Sequence, residues 1–277
     1  MVRTVRILTL NTFGRRGDWK SRREVLRRQL ACINADLIAF QELVMRPNEA
    51  DQSQEILDDE YVVIHHPERE HDRGGDVEDG QGITIASRWP VVRSWQVDLH
   101  VTPRTGGFAC TALCCEISAP DPIGTVLFVN HLPDYQLDHE HERELQAVAL
   151  ATAIETRIAE GGIDHVVVAG DLDADPVAAS LRFWTGRQSL QETSVCYRDA
   201  WESRHGSAPG PTFVPDNPLS RDPDWPFRQI DHILVRCRAS GPSLLIQECE
   251  RALNEPIDDV QASDHYGVRA DLRPPEA

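Results

Sequence analysis

The chain has 277 residues, 40% of them hydrophobic, which is enough to bury a sizeable core. Its formal net charge is −17, from 45 acidic against 28 basic residues. At long range such a chain repels nucleic acid, which argues against tight non-specific DNA binding while leaving room for a local basic groove.

Val5 to Leu10 reads as a first strand, ending at Asn11-Thr12-Phe13-Gly14. Gly14 to Gly17 is an Arg-containing turn. Ser21 and Glu24 match a capping box, and Leu26, Leu30 and Ile33 follow at helical spacing, which predicts a helix over 21–33. Asp36 to Phe40 is a short apolar strand that delivers Gln41-Glu42. Residues 49–60 read as an acidic helix and Tyr61 to Ile64 as a strand. Glu68 to Gly82 is a long polar loop, and Gly82 to Ser87 is a strand followed by Arg88-Trp89-Pro90.

Trp95, Val97, Leu99 and Val101 alternate with polar residues, the pattern of a half-buried strand. Phe108 to Ile117 and Thr125 to Asn130 are two further strands, the second ending at His131. A charged start at 138–144 opens a helix whose apolar face is Ala147, Leu150, Ala151, Ile154 and Ile158. Residues 177–203 are expected to be helical with loops, and 209–228 to be an irregular Pro- and Asp-rich loop. Ile230 to Val235, Leu244 to Cys249 and Val268 to Leu272 are the last strands.

The stretch the rest is organised around is His165 to Pro176. A β-branched run, Val166 to Val168, opens through Gly170 into Asp171, Asp173 and Asp175. Carboxylates gathered at the end of a buried strand are costly unless positive charge meets them. A calcium loop would need Gly and Glu where Pro176 and Arg182 stand, so it is excluded. An Asp-rich turn, an aspartyl nucleophile and a carboxylate site for Mg²⁺ or Mn²⁺ remain open at this point.

Seven cysteines show no metal-ligand spacing, and buried free thiols are expected, with adjacent Cys114 and Cys115 pointing to opposite faces of a strand. No stretch approaches membrane-spanning length and the N-terminal residues lack a signal-peptide core, so a soluble cytoplasmic protein is expected. Strand runs of similar length in both halves, each with one long helix, suggest two packed sheets with helices outside. With no repeat and no clean linker, residues 1–277 read as one domain. The oligomeric state is left open.

Polar residues stand at or just past the ends of apolar runs: Asn11, Glu42, His131, Asp171, Asp173, Asp231, Asp264 and His265. Loops at strand ends are where α/β folds place their sites. Leu10-Asn11-Thr12, Gln41-Glu42, Asn130-His131-Leu132, Gly170-Asp171-Leu172-Asp173, Gln229-Ile230-Asp231-His232 and Ser263-Asp264-His265 occur in order, and together the chain resembles the endonuclease/exonuclease/phosphatase superfamily over residues 5–272. Gly82 to Pro90 also looks like a strand of that family.

The resemblance implies a four-layer α/β sandwich of two mostly antiparallel sheets flanked by helices. It implies a Mg²⁺- or Mn²⁺-dependent phosphoester hydrolase, most simply a phosphodiesterase. By the same resemblance Glu42 is the main metal ligand, with Asn11 and Asp264 completing or bordering the site. Asp171 orients the attacking water, Asp231 orients His265 as base or electrostatic partner, and His131 donates to a phosphoryl oxygen. Arg88 and Arg104, with Arg15, Arg16 and Arg228, are candidates to grip phosphate. The substrate is expected to be a small phosphodiester or a nucleic acid, the charge favouring the former. An aspartyl-phosphate-forming phosphatase and a degenerate binding protein are the other readings.

The chain departs from the family pattern in two places. Asp173 stands where the family has Asn, and an ionised Asp cannot donate a hydrogen bond. No Glu to orient His131 is found at 105–108.

Overall fold

The computed structural model describes residues 4–46, 51–67, 80–107, 110–220 and 224–275. The first sheet is built from β1 (Val5–Asn11), β2 (Leu37–Val44), β3 (Val62–Pro67), β4 (Gln81–Ser87), β12 (Leu245–Ala252) and β13 (Gly267–Arg273), in the order β12-β13-β1-β2-β4-β3. The second runs β11-β10-β8-β7-β6-β5, from β5 (Val91–Asp98), β6 (Thr111–Ala119), β7 (Gly124–Leu132), β8 (His165–Asp171), β10 (Asp231–Arg238) and β11 (Gly241–Pro242). The three-residue β9 (Tyr197–Asp199) pairs with β10.

Among the described residues each sheet has a single parallel pair, and each pair encloses a long helix. Helix α1 (Trp19–Ile33) links β1 to β2, and α3 (Glu140–Ala159) links β7 to β8. This follows from chain geometry, since parallel strands need a crossover and antiparallel ones need only a turn. All other pairings among the described residues are antiparallel, as the resemblance implies.

Strand alternation sorts the side chains into three apolar layers. Val5 and Ile7 of β1, Leu37 and Ala39 of β2, Phe128 of β7, Val167 and Ala169 of β8, and Ile233 and Val235 of β10 fill the space between the sheets. Leu8, Leu10, Ile38 and Phe40 face the other way and pack on Val25, Leu26 and Leu30 of α1. Leu127, Val129, Val166 and Val168 pack on Ala147, Leu150, Ala151 and Ile154 of α3. Helix, sheet, sheet and helix are thus four layers. Cys114 falls in the α3 layer and Cys115 between the sheets, as their adjacency requires.

Several boundaries differ from expectation. Asp18, not Ser21, caps α1: its carboxylate accepts from the Ser21 N–H at 3.2 Å and from Ser21 Oγ at 2.7 Å. The acidic helix foreseen over 49–60 is only α2 (Gln52–Ile56), capped by Asp51; Leu57 is already extended, ahead of the like-charged run Asp58-Asp59-Glu60. Residues 49 and 50 lie outside the described residues, as does most of the 68–82 loop. The strand foreseen from Ser94 to Val101 starts earlier and stops at Asp98. Among the described residues it pairs on one side only, with β6, which accounts for its partial exposure. Phe108 also lies outside the described residues, and β6 begins at Thr111. The stretch 177–203 yields two short helices, α4 (Ala179–Trp184) and α5 (Ala200–His205), with β9 between them. The cysteines are not all buried: Cys32 and Cys196 are exposed and Cys237 is half-buried, while all seven are free. No described helix is long and apolar enough to cross a membrane.

Candidate active site

The pairings put the ends of β1, β2, β7 and β8 and the starts of β10 and β13 on one edge of the sandwich. Alternation then aims the side chains. Asn11 continues the series Val5, Ile7, Thr9 and points between the sheets. Asp171 does so after Val167 and Ala169, and Asp231 does so before Ile233 and Val235. Glu42 would by parity face α1. A bulge between Phe40 and Leu43, with Glu42 itself at φ +57°, turns it back toward the others.

These residues meet. Asn11 Nδ2 donates to Asp171 Oδ2 at 3.1 Å and to Glu42 Oε1 at 3.2 Å. Asp171 and Asp231 are direct cross-strand partners. His265 enters from the segment before β13. Its Nδ1 is 3.0 Å from Asp231 Oδ2 and its Nε2 is 3.8 Å from Asp171 Oδ2. One ligand-type atom from each of Asp171, Asp231 and His265 lies within 4.8 Å of the others, all three residues buried. Ser263 Oγ donates to Asn11 O at 2.7 Å and lies 3.2 Å from Asp264 Oδ1, and Asp264 stands beside Glu42.

The electrostatics follow from burying so many acids. Burial, and then the facing Asp231, push the Asp171 carboxyl up to about 7; the His265 ring and the Asn11 amide pull against them. Burial and the Glu42 charge raise Asp264 to about 6. Burial and Asp171 hold Asp173 well above the ordinary carboxylate range. For His265, burial alone would discharge the ring, but the Asp231 and Asp171 carboxylates outweigh it and keep its pKa well above 6.5.

Asp173 follows β8 in the left-handed region, at φ +47°, where Asp and Asn are the tolerated non-glycine residues. Its N–H donates to Asp171 Oδ1 at 3.3 Å. His131 sits on the other face of β7, continuing Leu127 and Val129. Its ring makes an edge contact with Trp184 at 6.2 Å, and burial lowers its pKa to about 3. Its Nδ1 is buried without a hydrogen-bond partner among the described residues.

The arginines divide. Arg16 reaches the site: its guanidinium pairs with Glu42 Oε2, donates to Gln81 Oε1 at 3.1 Å and lies over the Phe13 ring. Arg88 is not at the site. It follows β4 at the end of the sheet where β2 begins, opposite the end that carries Glu42. There it pairs with Asp58 and Glu60 over the Tyr61 ring. Arg104, on a 3₁₀ turn over Pro103–Gly107, is engaged by Asp138 and Glu142. Arg15 pairs with Glu55 of α2.

Several supporting residues escaped the sequence reading. Arg22 is buried and donates to the carbonyls of Thr12, Gly14, Arg16 and Ala262, pinning the loop after β1 against the segment before β13. Its place three and four residues before Val25 and Leu26, on the apolar face of α1, was the available signal. Asn217, in the stretch read as an irregular loop, donates at 2.9 Å to the carbonyls of both Ser263 and Asp264. Gln41 Nε2 donates to Asn130 Oδ1 at 2.7 Å, and Asn130 Nδ2 donates to Phe40 O and Thr84 O, which clamps the two sheets beneath the site.

The model of the Endonuclease/Exonuclease/phosphatase family matches residues 8–265. No curated protein matches the chain. Among solved structures, the human Nocturnin catalytic domain with bound sulfate superposes with a TM-score of 0.74 at 14% identity, covering 98% of this chain and 94% of its own. An endonuclease/exonuclease/phosphatase from Bacteroides vulgatus gives 0.71 at 19%, covering 99% and 100%. D. rerio TDP2 complexed with single strand DNA product gives 0.68 at 17%, covering 98% and 99%. At these identities the likeness is one of fold.

Proposed function

Because the chain belongs to the endonuclease/exonuclease/phosphatase family, we propose that it is a divalent-metal-dependent phosphoester hydrolase acting on a phosphodiester. The observation that carries the reading is the convergence of Asn11 and Glu42 from one sheet with Asp171 and Asp231 from the other, around His265. An aspartyl-phosphatase would use Asp171 and Asp173 and leave Glu42, Asp231 and Asp264-His265 without work.

The donors fit a hard cation. Glu42 and Asp264 offer carboxylate oxygens, the ligands Mg²⁺ and Mn²⁺ prefer, and Asn11 borders them. Acids pushed up to about 6 and 7 by burial and by one another mark a surplus of negative charge that a divalent ion would neutralise. When bound, the ion supplies polarisation of a phosphoryl oxygen and offsets charge on the leaving oxygen.

The chain's own residues do the rest. Asp171 holds the attacking water by its carboxylate, kept in place by the Asn11 amide. His265, charged and oriented by Asp231, faces the phosphoryl group and stabilises charge that builds on its oxygens. Asp173, where the family has Asn, serves a second ion or keeps a proton that lets it donate. Arg16, already beside Glu42, grips a phosphate oxygen.

For substrate we favour a small phosphodiester, since the net charge of −17 repels a polyanion. A single-stranded nucleic acid end is the second reading, favoured by the D. rerio TDP2 complex with its single strand DNA product. The test is a panel of bis- and mono-nitrophenyl phosphate, plasmid, single-stranded DNA, RNA, sphingomyelin and inositol phosphates, with Mg²⁺ or Mn²⁺ and with chelator. Turnover of the diester that chelator abolishes supports the proposal. Equal turnover with chelator present rejects it.

A further inference from the structure

At the end of β10 opposite Asp231, away from the phosphoesterase cleft, two cysteines face each other. β9 pairs with β10 through Asp199↔Leu234, Arg198↔Val235 and Tyr197↔Arg236. The next step of that register sets Cys196 opposite Cys237, and the Cys237 N–H donates to Cys196 O at 2.8 Å. Directly opposed residues of a hydrogen-bonded antiparallel pair have Cα atoms about 5.5 Å apart. That lies inside the roughly 4.4–6.8 Å range a disulfide spans. Opposed residues also project to the same face.

Two further observations concern the thiols. Burial, and then the neighbouring Cys196 thiol, push the Cys237 thiol up to about 11. Gly186 backs Cys196 so closely that a Cβ there would lie 3.1 Å from its Sγ, which closes one side of the thiol. The other side opens on a surface cleft lined by Glu155, Ser194, Val195 and Arg236, and Cys196 is exposed. By contrast Cys110, Cys114, Cys115 and Cys249 are buried.

We propose that Cys196 and Cys237 are an oxidation site that forms a reversible intramolecular disulfide. With hydrogen peroxide as oxidant, the exposed Cys196 thiolate attacks one peroxide oxygen, breaks the O–O bond and releases hydroxide, leaving a sulfenic acid. The Cys237 sulfur then attacks Cys196 Sγ; the S–S bond forms, the S–O bond breaks, and the leaving hydroxide takes up the Cys237 proton as water. Two thiols and one peroxide give one disulfide and two waters. The bond closes a loop that contains Asp199, Asn217 and Asp231. Asp199 caps α5 and bonds His232 Nδ1 at 2.8 Å, so oxidation staples the segment that supports Asp231.

The test treats the reduced full chain with stoichiometric hydrogen peroxide. It then counts free thiols under denaturing conditions and maps peptides after iodoacetamide labelling. The expected result is loss of two of the seven thiols, a linked Cys196–Cys237 peptide from monomeric protein, and a melting temperature raised by several degrees. Dithiothreitol should reverse all three, and Cys237→Ser should show none. Iodoacetamide on both cysteines after peroxide, sulfinic acid at Cys196 with Cys237 still labelled, or a link through any other cysteine overturns the proposal. None of these readouts depends on phosphoester hydrolysis.

Discussion

Asp171 and Asp231 stand directly opposite each other across β8 and β10, two buried carboxylates facing the same side of the sheet. Like charges so placed destabilise a strand pair. The His265 ring between them offsets that repulsion, with 3.0 Å to one carboxylate and 3.8 Å to the other. The arrangement is held by packing outside it, and its chemistry can be tested one group at a time.

Asp231→Asn removes the carboxylate that most raises the His265 pKa against the pull of burial. The ring should then lose its proton at a lower pH, seen in the ¹⁵N chemical shifts of labelled histidine. Activity should fall about 10²-fold, the usual scale for a disturbed acid–base group. An unmoved His265 titration would show that Asp231 does not set its charge.

Asp173→Asn should fold and keep substantial activity, since Asn tolerates φ +47° as Asp does. The folded-state pKa of Asp173 is raised, so the folded chain binds a proton that the unfolded chain releases. That costs stability above the unfolded value near 4. The variant should therefore match wild type in acid and be the more stable of the two at pH 8 by urea denaturation. Its Mn²⁺ titration of activity should also shift; an unchanged titration removes any role for Asp173 in metal binding.

Mg²⁺ or Mn²⁺ should raise the melting temperature, and more so at pH 8 than at pH 6. Protons compete for acids raised to about 6 and 7, so cation binding releases them. Glu42→Gln should abolish the shift at both pH values. Calorimetry in buffers of different ionisation heat measures the released protons; no release would contradict the site as drawn.

Asn11→Ala should cost about 10²-fold in activity and 1–3 kcal/mol in stability, because its amide joins Glu42 and Asp171 across the two sheets. Asn11→Asp should be worse, adding another acid where acids already crowd. Steady-state kinetics beside denaturant melts would separate the two effects.

Gly170→Ala should be severe although Gly170 carries no chemistry. A Cβ there would lie 2.0 Å from the His131 carbonyl oxygen on β7, so the two strands must part. We expect a loss of about 3 kcal/mol in denaturant melts and little activity. Near-normal melting would mean β7 and β8 yield more easily than their burial suggests.

The strands, the two long helices and the family were legible in the chain, because alternation and helical spacing are local and the six motifs sit at strand ends. Short elements were not. Residues 177–203 hold β9, whose pairing partner lies more than thirty residues away, and nothing within the segment announces it. The sequence also proposed Arg88 as a phosphate ligand, whereas antiparallel pairing carries it to the opposite end of β2 from Glu42.

By itself the sequence determined which residues carry charge and donor groups, and that each of Asn11, Glu42, Asp171, Asp231 and His265 ends or borders an apolar run. Only the tertiary structure decided which of them share a cleft. The bulge that re-aims Glu42, the parity that sends His131 to the helix side, and the sheet-to-sheet reach of Asn11 depend on register. Register is a relation between distant segments, set by how whole strands bury their faces against one another.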